Sequence, residues 1–307
     1  MTSRGIKNVA ASVRARLLAR AKAQDEDFQL VLVRFAGERL LYRLSRSEHA
    51  SRFVLKGATL FILWRGNPHR ATRDLDLLGF GSSEPDALVA VMLDVLATEV
   101  EDDGLDFDAD SLVVGPIRDD QEYGGVRATL TARLGTAKVR VQVDVGFGDA
   151  ITPGAEPADL PTLLDLPAPR LRVYPRETVV AEKVEAMCQL GLANSRMKDF
   201  YDLVVLSKMF EFDGGLLLQA VRATFERRRT PLPESDPVAL TPAFYDDAAK
   251  QQQWRAFQKR ANCENHGDLP AIMAALRIFA LPLLAADTSE VARSTWRRES
   301  WVSLAGG

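Results

Sequence analysis

Apolar residues along this chain first recur near the spacing of a helix. Ile6, Val9, Val13 and Leu17, and then Leu30, Val33, Leu40 and Leu41, predict helices over 5–23 and 27–46. A short apolar run, Phe53-Val54-Leu55, predicts a strand that Gly57 ends. Ala58 to Trp64 holds no turn residue and predicts a helix, which Gly66-Asn67-Pro68 stops. Asp74 to Phe80 predicts the next strand, and Leu88, Val91, Met92 and Leu96 form the apolar stripe of a helix over 85–100. Strands follow at 124–134 and 138–147. The second alternates strictly, with Val139, Val141, Val143 and Val145 on one face and Arg140, Gln142 and Asp144 on the other. Prolines at 153, 157, 161, 167 and 169 predict an extended linker. Beyond it the period turns helical, over 176–190, 198–212, 214–228 and 269–286, with an irregular proline-rich loop at 230–242. The pattern predicts an α+β chain of two lobes, 1–150 and 170–307, joined by a linker over 151–169.

Composition narrows the class without naming a chemistry. With 47% apolar and 26% charged residues in 307, the chain has the make-up of a folded soluble protein. No apolar run reaches the roughly 20 residues of a spanning helix, and Met1 to Gln24 carries Arg and Lys throughout. A cytoplasmic protein with no membrane partner is therefore expected. Cys188 and Cys263 are far apart and lack CxxC spacing, which argues against a disulfide framework or a zinc site; Cys188 reads as a small core residue. His49, His69 and His266 are isolated and read as surface or structural groups. The net charge of −3 excludes a uniformly basic coat but not local patches: Arg4–Lys22 and Arg222–Arg229 are basic, Glu84–Asp120 acidic.

The chemistry concentrates around residue 75. On a strand, positions i and i+2 share a face, so Asp74 and Asp76 project together while Leu75 and Leu77 enter the core. Two adjacent carboxylates repel unless a cation lies between them, and all-oxygen ligands suit Mg²⁺ or Mn²⁺. If the strand holding Asp144 neighbours this one, three carboxylates converge and can clamp metal ions for an in-line phosphoryl displacement. Taken singly, each motif better suits a solvated strand end. The strand-Gly-helix turn at Lys56-Gly57 upstream adds weight, because backbone amides at such a turn can hold phosphate oxygens. No Walker A, GxGxxG or GxSxG pattern competes.

Five pieces in order carry a resemblance. They are Leu55-Lys56-Gly57-Ala58-Thr59-Leu60, Arg70-Ala71-Thr72-Arg73-Asp74-Leu75-Asp76, Val143-Asp144-Val145, Glu182-Lys183-Val184-Glu185-Ala186 and Arg196-Met197-Lys198-Asp199-Phe200-Tyr201-Asp202-Leu203. Together they resemble the AbiEii/AbiGii abortive-infection toxins of the polymerase-beta-like nucleotidyltransferase superfamily. The resemblance implies a lobe with a mixed sheet flanked by helices and a mainly helical C-terminal lobe. It implies metal binding at Asp74 and Asp76, phosphate contact at Lys183 and Thr72, and completion of the site by Asp199, ranked above Asp202. It further implies a nucleoside triphosphate substrate, an acceptor at the 3′ end of tRNA, and a cognate antitoxin. Ala58 departs from the Ser or Gly usual after the turn glycine, which leaves only backbone amides there. Read from spacing alone, Lys183 sits on a solvated helix face, and Asp202 pairs with Arg196 or Lys198.

For RNA, the basic run Arg222, Arg227, Arg228 and Arg229, with Trp254, Arg255 and Lys259, offers cations and a stacking ring. Other acceptors stay open at this point, namely a small molecule or a protein hydroxyl, as does a catalytically inactive RNA- or partner-binding module.

Overall fold

The computed structural model describes residues 8–117 and 125–303. Contacts gather the chain into two units, one of 1–148 with 156–173 and one of 149–155 with 174–307. Residues 5–7 of the first predicted helix and residue 124 of a predicted strand lie outside the described residues.

The first unit is a mixed α+β layer. Helices α1 (Val9–Ala23) and α2 (Phe28–Arg46) begin where the side chains of Asn8 and Asp27 accept the N–H groups of Ala11 and Leu30. The strands are β1 (Phe53–Lys56), β2 (Asp74–Gly79), β3 (Leu105–Pro116), β4 (Val126–Leu134), β5 (Ala137–Phe147), β6 (Glu156–Asp159) and β7 (Arg170–Val173). They form one sheet in the order β3-β4-β5-β2-β1-β7-β6. β2 runs parallel to β5 and β1 parallel to β7, while the other neighbours are antiparallel. The valines of β5 and the alternate residues of β4 are buried. Helices α3 (Leu60–Arg65) and α4 (Pro85–Ala97) complete the unit.

Three strands of this sheet depart from the sequence pattern: β3, β6, and β7, which lies in the stretch read as the start of the helical lobe. Strand β3 was not predicted, because Asp106, Asp108 and Asp110 are poor strand formers. At a sheet edge they cost little, since none of its residues is fully buried and the outer rim meets solvent. The segment read as a linker contains β6 at the opposite edge, where Pro157 is tolerated because an edge strand need not donate on its outer side.

The second unit is mainly helical: α5 (Arg176–Leu190), α6 (Met197–Met209), α7 (Gly214–Arg228), α8 (Pro242–Tyr245), α9 (Ala248–Ala261) and α10 (Leu269–Leu284). A small sheet of β8 (Phe212–Asp213), β9 (Ser294–Arg297) and β10 (Ser300–Ser303), in the order β10-β9-β8, was not foreseen. Trp296 anchors it, fully buried, with its indole donating to the Ser207 carbonyl at 2.6 Å. Helix α9 also went unpredicted, since its polar run Lys250-Gln251-Gln252-Gln253 hides the apolar stripe of Trp254, Phe257 and Ala261. No described helix is long and apolar enough to cross a membrane.

Candidate active site

Strand β2 lies between β1 and β5, near the middle of the sheet. Leu75 and Leu77 are buried on one face, and Asp74 and Asp76 are half-buried on the other. The parallel register sets Asp76 beside Asp144 and Asp74 beside Gln142. On the other flank Lys56 faces Asp76, and one strand beyond β5 Arg127 faces Asp144. Lys56, Asp76, Asp144 and Arg127 thus form one row across four strands, two carboxylates between two cations.

Arg127 had no signal in the spacing, since its meaning depends on strand pairing. Its Nε and Nη2 each donate at 2.7 Å to the two oxygens of Asp144, the paired geometry that makes Arg–carboxylate bonds strong and directional. Gln142 Nε2 lies 3.4 Å from the same carboxylate.

Gly57 closes the row from above. It follows β1 with φ +74°, and a Cβ there would overlap the Asp76 carboxylate and stand 2.7 Å from the Asp76 Cβ. The turn continues as a single 3-10 turn, Gly57–Thr59, into α3, with Ala58 buried. Thr72 precedes β2 and is half-buried.

These residues fit a divalent cation in donor chemistry. Asp74, Asp76 and Asp144 offer only oxygen, as a hard cation needs. The missing side chain at Gly57 lets the turn backbone approach the Asp76 carboxylate, which already takes the place a Cβ would occupy. A separate surface trio, Glu48, His49 and Asp94, brings its ligand atoms within 4.8 Å, but two of the three are exposed and His49 Nε2 is already 3.0 Å from Asp94.

The second unit holds its own cluster. Lys183 Nζ donates to Asp199 Oδ1 at 2.7 Å and pairs with Asp202 Oδ2 at 2.8 Å, and its side chain is only 13% exposed. The solvated-face reading of Lys183 is therefore corrected. So is the pairing of Asp202 with Arg196 or Lys198: Arg196 instead meets Asp199, Nε to Oδ2 2.6 Å, across i,i+3. Burial alone would raise the Asp199 pKa, but the charges of Lys183, Arg196 and Lys198 outweigh it and hold the carboxyl below its ordinary range.

Nearby on α5 and α7, Arg228 meets Glu185 at 2.7 Å, Asp149 at 2.9 Å and Glu182 at 3.5 Å, and the Thr230 hydroxyl also donates to Glu185. Burial disfavours the guanidinium, yet Glu182, Asp149 and Glu185 more than compensate and keep it charged. Arg228 is thus removed from the RNA candidates by its structural role, whereas Arg227 and Arg229 are exposed. Trp254 is removed as well, being buried with its indole donating to the Gly267 carbonyl at 3.1 Å. Burial, with Glu185 adding, pushes the Cys188 thiol up to about 12, consistent with a packing residue.

The mixed sheet and the family match together define a nucleotidyl transferase. The family described as "Nucleotidyl transferase AbiEii toxin, Type IV TA system" matches residues 39–277, and the chain belongs to it. Such a toxin takes a nucleoside triphosphate as substrate and is paired with an antitoxin. No curated protein matches the chain. Among solved structures, JHP933 from Helicobacter pylori is similar at 15% identity and TM-score 0.45, over 80% of this chain and 88% of that one. A putative nucleotidyltransferase from H. pylori is similar at 14% identity and TM-score 0.38, over 74% and 95%. At those scores the two likenesses add nothing to the family assignment.

Proposed function

We propose that the chain moves a nucleoside monophosphate from a nucleoside triphosphate to the 3′ end of tRNA, using Mg²⁺ or Mn²⁺ held by Asp74, Asp76 and Asp144. The observation that carries the metal reading is the pairing of Asp76 with Asp144 in a parallel register, beneath a glycine that only a missing side chain lets approach. A bound divalent ion would polarise the phosphoryl oxygens and offset charge developing on the leaving pyrophosphate. Arg127 orients Asp144, and Lys56 lowers the repulsion of the carboxylate row from its other end. Backbone at Gly57 and the Thr72 hydroxyl supply phosphate contacts. Lys183 supplies positive charge to triphosphate oxygens, with Asp199 and Asp202 fixing its ammonium. Arg227 and Arg229 are the basic groups available to RNA phosphates.

The test is incubation of the chain with each labelled nucleoside triphosphate and total RNA. Label on tRNA is expected, lost on chelation and lost in Asp74→Ala or Asp76→Ala at unchanged folded yield. Unimpaired transfer by either variant would overturn the metal assignment. Label on a small molecule or a protein in place of RNA would replace the acceptor.

A further inference from the structure

A cavity of about 70 Å³ in the first unit lies against Asp74. Ile62 and Leu163 are among its apolar walls, and Arg20, Arg34 and Glu38 are its ionisable groups away from the aspartate strand. Nothing in the carboxylate row accounts for those three residues.

Two of them are chemically incomplete within the protein. The Nε of Arg20 and the Nε of Arg34 are shielded from solvent and have no acceptor among the described residues. Arg34 is 12% exposed and commits Nη1 to Glu26 at 2.8 Å, so its other end is fixed. A buried donor left unmade costs about 1–3 kcal/mol. Both residues line one cavity, whose wall therefore carries two guanidiniums that the protein does not fully satisfy.

Glu38 is buried on the same lining. Its Oε2 accepts the Leu163 N–H at 2.7 Å, and its Oε1 lies 3.3 Å from Arg39 Nη1. Each oxygen keeps a second lone pair for another donor. Burial holds this carboxyl above its ordinary range, against the pull of Leu163 and Arg39. Three guanidiniums, Arg20, Arg34 and Arg73, share the lining with two carboxylates, Glu38 and Asp74, so it offers donors and acceptors side by side rather than the all-cationic wall of a simple anion site. A flat ring with acceptors on one edge and a donor beside them suits it well. Guanidinium to ring acceptor and carboxylate to ring amine are the standard pairings by which side chains read bases.

We propose that this cavity seats a nucleobase, its faces against Ile62 and Leu163 and its edge read by Arg20, Arg34 and Glu38. The base has two sources, the incoming nucleoside triphosphate or the terminal nucleotide of an RNA acceptor. The second source rests on the RNA reading above. In either case Asp74 on the cavity wall keeps the attached sugar and phosphate beside the carboxylate row.

Two direct binding series test this on the full chain. Non-hydrolysable α,β-methylene analogues of the four triphosphates are titrated by calorimetry, and short RNAs ending in each of the four bases by fluorescence anisotropy. The variants are the double Arg20→Leu/Arg34→Leu, and Ile62→Phe, which fills the space with the arginines intact. One series should lose at least tenfold in affinity and flatten in base preference, while the other holds within twofold; the series that moves names the source. If neither series moves in folded variants, or both fall equally without loss of base preference, the proposal is overturned. Should the double variant not fold, Ile62→Phe decides alone. A parent that transfers nothing to RNA, with the triphosphate series still responding, would sink the RNA reading and leave the cavity assignment standing. Transfer to RNA with neither series responding would do the reverse.

Discussion

Gly57 is the residue on which the carboxylate row depends most directly. Its φ of +74° lies where a side chain is strained, and a Cβ would collide with the Asp76 carboxylate. The backbone conformation alone costs roughly 1–3 kcal/mol for another residue. Gly57→Ala should therefore lose at least that much stability in chemical denaturation and lose nucleotidyl transfer along with it. A variant within about 0.5 kcal/mol of the parent, the range of ordinary surface changes, would show that the turn relaxes freely. The placement of Asp74 and Asp76 on one strand face and of Gly57 in a turn was legible in the sequence, because strand alternation and a turn glycine are local signals. Arg127 was not, because its two-point bond to Asp144 exists only once β4 and β5 pair in this register.

At the scale of elements, α5 and α6 show how tertiary contact changes a reading made from spacing. Lys183 lies between glutamates on α5, which suggests a solvated face, yet it is the shared counter-charge of two buried aspartates on α6. Removing one member of a buried ionic cluster strands the others, at a cost of about 3–5 kcal/mol. Lys183→Met should thus be destabilising as well as slow, and a double variant that also carries Asp202→Asn should recover much of the stability but not the transfer rate. A single variant as stable as the parent would contradict this account of the cluster. The cluster also fixes a pH dependence. The Asp199 carboxyl is held below its unfolded value, so its contribution is complete above that value and is lost only as pH falls through the lower, folded one. Edge strands β3 and β6 show the opposite failure of sequence reading: acidic residues and proline mask strands whose outer rims need no partner.

For the whole molecule, the alternation of strand and helix followed by helical periodicity was enough to read the α+β class, because periodicity reports burial over long segments. The small sheet β8-β9-β10 stayed hidden because its strands are two to four residues long and pair across some eighty residues of chain. Membership of a toxin family makes a claim about the cell as well as the test tube. If toxicity is the consequence of nucleotidyl transfer, growth arrest must follow catalysis and not the mere presence of the folded chain. Asp74 is the suitable probe, since it is half-buried on the polar face of β2 and its loss removes one of two adjacent like charges without opening the core. Expressed without its antitoxin, the parent should halt growth, and Asp74→Ala at the same cellular level, checked by immunoblot, should restore it to near the empty-vector rate. An Asp74→Ala chain that arrests growth as fully as the parent, while inactive in transfer, would separate toxicity from catalysis and assign it to binding alone.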